Sequence, residues 1–446
     1  MSNANELVFF GRHEIEPRTL LYYEWRQRLE SGYLVAEFES DVRTLATADH
    51  ADPAACWTLF DRLETAERDP GWSYDESDLP EPTASQAIES VVSDLSDAEL
   101  FERIHGGWVG RCVGCTLGKP LENGFVWTPA RIRGYLERAR AYPLTDYVPA
   151  LLPPSTEYPL NPSWPVSVQG CIDGAPRDDD IDYTVLGLHL LETCGENFTR
   201  SDVADAWLEH LPFLQTYTAE RVAYRNLING LAPPRVARYR NPYREWIGAM
   251  IRADIFGYIS PGDPVRAAAL AARDAGLSHT GNGVYAAMWA AALVAAAFTA
   301  DGIASALSIA QQCIPEGSRL SAAVAEVIAD RESGMSWERA VAAIHRRHDH
   351  YNWVHAVPNA CLVTAGLLWG ADDFTRTIGL TVQGGCDTDS NGATAGSVAG
   401  ILVGAAIPAH WTDPFHDRLH SAVFGYDGSR ISDLARRTQR LAAGTT

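Results

Sequence analysis

Two sets of regularly spaced glycines constrain the fold of this chain most strongly. Glycines recur at every fourth residue, first at Gly110, Gly114 and Gly118, and again at Gly392, Gly396, Gly400 and Gly404. Glycine inside a helix costs about 1 kcal/mol relative to alanine, so this spacing needs a physical reason. The usual reason is the close approach of a neighbouring backbone. The glycine sets therefore predict two buried helices that pack against one another.

The chain from residue 97 onward is predicted to be helical throughout. Apolar segments alternate with short loops rich in Gly, Pro, Asn and Asp, with neither a series of short strands nor a βαβ rhythm. Residues 96–99, Ser-Asp-Ala-Glu, have the spacing of a capping box. The longest apolar run, 284–298, is too short to span a bilayer and predicts a buried helix. We therefore predict an all-α domain.

A smaller helical unit is predicted ahead of this domain. Residues 20–29 are amphipathic, and residues 54–67 form a second helical segment. Residues 69–85 combine prolines with acidic residues and are interpreted as a linker. The sequence thus predicts an N-terminal helical extension with its linker over residues 1–95 and a catalytic domain over residues 96–446.

Charge and cysteine content narrow the class of function. The 446 residues carry a formal net charge of −21, which repels polyanions and argues against a nucleic-acid scaffold. No signal-peptide pattern begins the chain, and eight scattered cysteines suit the reduced thiols of a cytoplasm. Cys112 and Cys115 form a CxxC without a second pair, so we interpret them as helix packing. We expect a cytoplasmic protein without a membrane partner.

Three acidic segments carry the chemistry. The first is Glu122, just after the first glycine set. The second is 178–182, Asp-Asp-Asp-Ile-Asp, and the third is 385–391, Gly-Cys-Asp-Thr-Asp-Ser-Asn. One such segment can simply cap a helix. Adjacent aspartates beside an apolar helix repel one another, however, and a bound cation is the simplest compensation.

The residue types in these segments indicate which cation would bind. Carboxylates accompanied by Thr or Ser hydroxyls suit Mg²⁺ or Mn²⁺ rather than Zn²⁺. Two acidic clusters with a bridging carboxylate would hold two such ions, which can lower the pKa of a bound water and clamp a substrate oxygen. We therefore predict a site for two Mg²⁺ or Mn²⁺ ions.

Competing motifs fit the sequence less well. Residues 387–392 match the start of an EF-hand loop, but Val398 stands where a bidentate glutamate is required. An Asp-x-Asp phosphatase motif would follow a hydrophobic strand, whereas glycines occupy 384 and 385. Residues 281–286 match G-x-G-x-x-A without an upstream strand. No G-x-S-x-G nucleophile motif is present in the sequence.

In this order, the acidic segments resemble the motifs of the ADP-ribosylglycohydrolase family. The glycine-rich helix ending in Glu122 is similar to the family's first motif. Residues 178–181 resemble its Thr-Asp-Asp-Thr, and residues 385–390 resemble its Gly-Gly-Asp-Thr-Asp-Thr. Residues 248–252 are similar to its Gly-Ala-Met-Arg element, and residues 278–279 to its Thr-His.

The resemblance covers about residues 97–440 and implies an all-α orthogonal helical bundle with a dinuclear Mg²⁺ or Mn²⁺ centre. It implies hydrolysis of the N- or O-glycosidic bond at an ADP-ribosyl C1″, which we expect to proceed by attack of a metal-bound water. Glu122 and Asp179 are the candidate catalytic carboxylates. The metal ligands implied by position are Asp178, Asp179, Asp180, Asp387, Asp389 and Ser390.

The second segment departs from the family pattern. Asp178 and Ile181 stand where the family has threonines, and Ser390 replaces a third. A shifted register over 181–184 keeps a threonine beside the apolar helix and would make Asp182 a metal ligand. The sequence leaves both registers open.

Five further residues are candidate substrate contacts: Lys119, Arg252, His279, His355 and Asn359. Lys119 and Arg252 would contact phosphate or ribose, or would carry surface charge. His279 would contact the ligand or cap its helix, whereas His355 and Asn359 would line the cleft or form an ordinary turn.

The sequence leaves the substrate open between two classes. It is an ADP-ribosylated molecule, or alternatively a small riboside or nucleotide with no protein target. A non-catalytic ligand-binding protein is the third interpretation.

Overall fold

The computed structural model describes residues 11–77 and 95–444, and these residues form α-helices joined by loops and short 3₁₀ turns. Within them, β-structure is limited to isolated bridges, so the predicted all-α fold is confirmed. None of these helices combines the length and the apolar character needed to cross a membrane. In chain order the helices are α1 Pro17–Glu30, α2 Glu39–Thr47, α3 Pro53–Glu64, α4 Asp97–Gly118, α5 Pro129–Arg138, α6 Asp179–Cys194, α7 Arg200–His210, α8 Thr218–Ile228, α9 Arg235–Arg238, α10 Asp254–Tyr258, α11 Pro264–Ala275, α12 Gly281–Ala296, α13 Ile303–Gln311, α14 Arg319–Glu332, α15 Trp337–Arg347, α16 Ala356–Gly370, α17 Phe374–Gln383, α18 Thr388–Val403, α19 Ala409–Thr412 and α20 Ile431–Ala442.

The two glycine helices, α4 and α18, pack directly on one another, as predicted. A Cβ atom placed on Gly110 or Gly114 would overlap the backbone of the facing helix. The facing pairs run in opposite directions along the two helices, so α4 and α18 are antiparallel. They are, in order, Gly106 with Gly400, Gly110 with Gly396, Gly114 with Gly392 and Gly118 with Thr388.

This close packing positions the first and third acidic segments. Because α4 and α18 are antiparallel, the carboxyl end of α4 meets the amino end of α18. The Thr388 hydroxyl donates a hydrogen bond to the Gly118 carbonyl at 2.9 Å. Glu122, four residues beyond the end of α4, therefore lies close to the segment that opens α18.

Two other helix predictions are confirmed. Helix α12 is buried along its whole length. Helix α4 begins with the predicted capping box, in which the Ser96 N–H donates to the Glu99 carboxylate at 2.9 Å and the Glu99 N–H donates to the Ser96 hydroxyl. These reciprocal bonds satisfy N–H groups that a helix start leaves without partners.

The N-terminal residues form three helices around a small apolar cluster. Helices α1 and α3 correspond to the two predicted segments, and α2 is an additional short helix whose buried residues are Val42 and Ala46. The cluster is completed by residues from the rest of the chain, including Tyr243 and Trp246. Of the predicted linker 69–85, positions 78–85 lie outside the described residues, and the boundary at residue 95 stays a prediction.

Candidate active site

The three acidic segments meet at one cavity of about 590 Å³. The segment that follows α4, the start of α6 and the start of α18 each contribute carboxylates to its lining. The predicted site residues that line it are Lys119, Glu122, Asp178, Asp179, Asp180, Asp387, Asp389 and Ser390. Side chains separated by more than 200 residues in the sequence are thus brought together by the fold.

Within this cavity the acidic side chains form two groups. Carboxylate oxygens of Glu122, Asp387 and Asp389 all lie within 4.8 Å of one another. In the second group, one carboxylate oxygen of Asp178, one of Asp180 and the Cys115 sulfur also lie within 4.8 Å of one another. The spacing within each group suits ligands that share one cation.

A hydrogen bond connects the two acidic regions. The Ser390 hydroxyl, from the first turn of α18, donates to the Asp180 carboxylate at 3.1 Å. The Ser390 N–H donates to the Asp389 carboxylate at 3.0 Å. The second and third acidic segments therefore belong to one continuous polar cluster.

The electrostatics of the cluster show an excess of negative charge. Burial raises the pKa of Asp179 and of Asp180, and the neighbouring Asp178 raises both further. Burial and Asp389 raise the pKa values of Glu122 and Asp387, and the pKa of Asp389 itself rises to about 6 through burial and Asp178. These carboxylates cannot all ionise without a compensating cation.

Lys119 compensates one member of the cluster. Burial alone would raise the pKa of Asp178, but the ion pair with Lys119 outweighs burial and lowers that pKa to about 2. Lys119 is itself buried, which lowers its pKa, but Asp178, Cys115, Asp389 and Glu122 together outweigh burial and raise that pKa. In this structure Lys119 lines the cavity as the partner of an aspartate.

A fully buried arginine supports the cluster from behind. Arg111, inside α4, donates to the Asp180 backbone carbonyl at 2.7 Å and to the Asp254 carboxylate at 2.8 Å. Its Nη2 also lies 3.4 Å from the Asp180 carboxylate. Sequence analysis missed this residue, although an arginine within an apolar, glycine-spaced helix is a signal that a buried acid faces it.

Two other cavity contacts were also missed. Asn161 donates to the Glu122 carboxylate at 3.0 Å and thereby orients it. Cys115, interpreted as a packing residue, lies beside Asp178 and Asp180. Burial and Asp178 raise the pKa of the Cys115 thiol well above its usual value, so the thiol stays protonated and is a weak metal ligand.

Asp182 faces away from the cavity. Its carboxylate accepts hydrogen bonds from Arg177 Nε at 2.7 Å, from the Ser421 hydroxyl at 2.7 Å and from the Ala422 N–H at 2.8 Å. Asp178, Asp179 and Asp180 line the cavity, whereas Asp182 is outside its described lining and is satisfied by these donors.

Arg252 and His279 also lie outside the described cavity lining. Arg252 donates to Glu220 at 2.6 Å and is paired with Asp274, and His279 is fully buried beside the Ser278 hydroxyl at 2.8 Å. Internal partners thus occupy Arg252, and neither residue is placed to contact a ligand in the acidic cavity.

His355 and Asn359 act at the start of α16 rather than in the cavity lining. His355 Nδ1 accepts from the Val357 N–H at 3.2 Å, which caps the helix. The Asn359 side chain accepts from the Asp387 N–H at 3.1 Å and donates to the Trp353 carbonyl at 2.7 Å. Asn359 therefore positions Asp387 from behind.

A second cavity, of about 940 Å³, adjoins the acidic one. The two cavities share Phe125, Asn352 and Trp353 in their linings. The larger cavity is mainly apolar and contains neither of the acidic groups described above. The smaller cavity is therefore the candidate active site.

Fold and site together define an all-α protein with a buried, carboxylate-rich pocket suited to hard divalent cations. The sequence model of the ADP-ribosylglycohydrolase family matches residues 96–445. The chain belongs to this family. Membership indicates a glycohydrolase that acts on substrates of the ADP-ribose type.

Solved structures also resemble this chain. A solved structure described as an "ADP-ribosylglycohydrolase-related protein complex" is 18% identical in sequence, with a TM-score of 0.47. The alignment covers 78% of this chain and 100% of that chain. No curated protein matches the chain.

Proposed function

We propose that the acidic cavity hydrolyses the glycosidic bond between a ribosyl C1″ and its acceptor in an ADP-ribosylated or ribosylated substrate, with divalent metal ions as cofactors. One observation carries the proposal: carboxylates from three distant segments line a single pocket and outnumber its basic side chains. Lys119 and Arg177 are the basic residues in the described lining, and each is already paired with an aspartate.

The donor set fits two Mg²⁺ or Mn²⁺ ions. Glu122, Asp387 and Asp389 would hold one ion. Asp178 and Asp180 would hold the other, with the Ser390 hydroxyl within reach of Asp180. Bound there, the ions would lower the pKa of a coordinated water, orient the ribose hydroxyls and offset the charge of any phosphate.

Asp179 and Glu122 are the carboxylates proposed to handle the proton. Cleavage of a glycoside passes through an oxocarbenium-like state and needs a carboxylate base near the attacking water. Asp179 lines the cavity and is only half-buried, and burial together with Asp178 raises its pKa. A raised pKa favours uptake of a proton by this carboxylate, as a general base requires.

Glu122 has a different local setting. Asn161 holds its carboxylate in place by a hydrogen bond at 3.0 Å. A fixed Glu122 would keep its oxygens aimed at the cavity while the substrate binds. We assign the role of base to Asp179 and keep Glu122 as the alternative. The pH dependence of the rate in Asp179→Asn and in Glu122→Gln distinguishes the two assignments.

The experiment is a release assay on the full chain with ADP-ribosylated arginine and serine peptides and with ribosides, in Mg²⁺, in Mn²⁺ or in a chelator. We expect metal-dependent release that Asp387→Asn reduces at least about 100-fold, as loss of metal-site geometry would. Asp205→Asn, at an exposed position on α7, is the matched control and should retain full activity. Equal rates for Asp387→Asn and wild type, or full activity in chelator, would contradict the proposal.

A further inference from the structure

The wall of the acidic cavity includes residues that precede the family match. Glu14 and Tyr23 line the cavity, whereas the match to the family begins at residue 96. This part of the pocket is therefore built by the N-terminal extension and not by the portion of the chain that the family shares.

Tyr23, on α1, belongs to an aromatic wall. Its ring meets Trp246 edge-on at a centroid distance of 5.2 Å and Tyr243 at 5.4 Å. Tyr243 and Trp246 are 4.7 Å apart, and all three residues line the cavity. Tyr23 and Trp246 keep 5% and 7% of their surface exposed, whereas Tyr243 is fully buried behind them. The exposed edges of Tyr23 and Trp246 therefore offer a small, rigid apolar surface against which a planar ring can pack.

Glu14 fixes a neighbouring part of the wall. Its carboxylate accepts from the Thr218 N–H at 3.0 Å and from Arg221 at 3.1 Å. Thr218 has a φ of 37°, which is strained for a β-branched residue and needs support from its surroundings. The preceding residue, Tyr217, lines the cavity and pairs with Arg177.

Buried polar contacts hold the extension in this position. Glu24 pairs with Arg244 at 2.6 Å, and Gln27 donates to the Glu245 carboxylate at 2.7 Å. The wall formed by Tyr23 is therefore a fixed part of the pocket and not a lid that closes over it.

The charges near this wall indicate what can bind there. The acidic residues Glu14 and Glu220 are paired with Arg221 and Arg252. The basic residues of the described lining, Lys119 and Arg177, are likewise paired with aspartates. A diphosphate is normally held by arginines, lysines or free N–H groups. The aromatic wall instead suits an uncharged or cationic planar ring.

We propose that the N-terminal extension completes the substrate pocket, and that Tyr23 and Trp246, supported from behind by Tyr243, form a subsite for the planar heteroaromatic base of a small riboside. This inference rests on the proposed function, because the ribosyl group would lie at the carboxylates. It narrows the substrate to ribosides whose base stacks on the wall, in preference to ADP-ribosylated proteins.

The test compares Tyr23→Leu, which removes the ring, with Tyr23→Phe, which retains it. Binding of adenosine and nicotinamide riboside to the full chain is followed by tryptophan fluorescence, so that it is measured independently of turnover. Since aromatic pairs contribute about 0.5–1.5 kcal/mol beyond their buried area, we expect Tyr23→Leu to weaken binding about 3- to 10-fold. KM should rise by the same factor with little change in kcat. Tyr23→Phe, which retains the ring, should lose less affinity than Tyr23→Leu.

Thermal unfolding of each variant shows whether the fold is intact. If Tyr23→Leu is unstable, the comparison of ribosides with ADP-ribosylated peptide on the wild-type chain still tests the inference. Three results would overturn the inference: no riboside binds, Tyr23→Leu binds as well as wild type, or ADP-ribosylated peptide is turned over more efficiently than every riboside. In the last case the proposed hydrolase function would still stand. Metal-independent or absent hydrolysis of all substrates would refute the proposed function instead.

Discussion

Substitution of Gly118 by alanine tests how the helix packing supports the site. A Cβ at this position would lie closer than 2.5 Å to the Thr388 carbonyl group and to the Asp389 nitrogen. Ordinary van der Waals contact begins at 3.4 Å, and these are backbone atoms that cannot rotate away. The two helices would have to separate locally by about 1 Å, a displacement that overpacking of this kind produces.

The expected effects follow from this separation. Overpacking costs about 1–3 kcal/mol, and alanine regains about 1 kcal/mol of helix propensity. We therefore expect a net loss of about 0–2 kcal/mol in the free energy of unfolding. A shift of about 1 Å in reacting groups can cost about 100-fold in rate. Gly118→Ala should therefore lose far more activity than stability.

Urea unfolding and the release assay measure the two effects separately. Gly134→Ala on α5 is the matched control, because its new Cβ would meet only the Tyr158 hydroxyl, at the end of a side chain, at 2.8 Å. We expect that variant to keep its activity. If Gly118→Ala keeps wild-type stability and activity, the close helix contact does not position the acidic segments and our reasoning is wrong.

Three further predictions concern charge and the thiol. Arg111→Met removes the buried positive charge that faces Asp180 and Asp254 and should lower the free energy of unfolding by about 3–5 kcal/mol. Arg133→Met, which breaks the exposed pair with Glu137, should cost under about 1 kcal/mol. Equal losses in urea unfolding would contradict the role of Arg111. Burial raises the pKa of Glu24, but Arg244 and Arg28 outweigh it and hold that pKa below 4.5. The stabilisation from Glu24 is therefore present above pH 4.5 and is lost as the pH falls below it. The difference in the free energy of unfolding between wild type and Glu24→Gln should shrink on acidification. A difference that grows would refute the pairing of Glu24 with these arginines. Because the Cys115 thiol stays protonated, Cys115→Ser should bind Mn²⁺ within about threefold of wild type by calorimetry, and a much larger loss would make the thiol a ligand.

The sequence predicts those parts of the fold that follow from local rules. The glycine spacing predicts the contact of α4 and α18 because close packing against a facing backbone offsets the cost of glycine at every fourth position of a helix. The Ser96–Glu99 pair predicts a helix start because both bonds form within one turn. Helix α2 was missed because it is short and presents few apolar residues, so its pattern is weak.

The site was predictable only in part. Glu122 and the aspartates stand out because adjacent acids beside apolar sequence are costly without a cation. The register of the second segment depends on which side of α6 faces the cavity, and sequence alone does not show the distant donor Ser421 that satisfies Asp182.

Partners that approach from distant segments left no local pattern in the sequence. Asn161, for example, reaches Glu122 from a loop outside any motif. Tyr23 reaches the cavity only because α1 packs against Trp246, more than two hundred residues away. Contacts of this kind depend on the complete fold and cannot be derived from residue spacing.

The central claim is that Glu122, the aspartates at 178–180 and the aspartates at 387 and 389 surround a shared pair of divalent ions. Titration of the full chain with Mn²⁺, followed by electron paramagnetic resonance, tests it most directly. We predict two ions bound per chain and a loss of affinity of at least about tenfold in Asp389→Asn, with Asp205→Asn unchanged. Binding in Asp389→Asn that equals wild type, or no bound Mn²⁺ in wild type, would contradict the account.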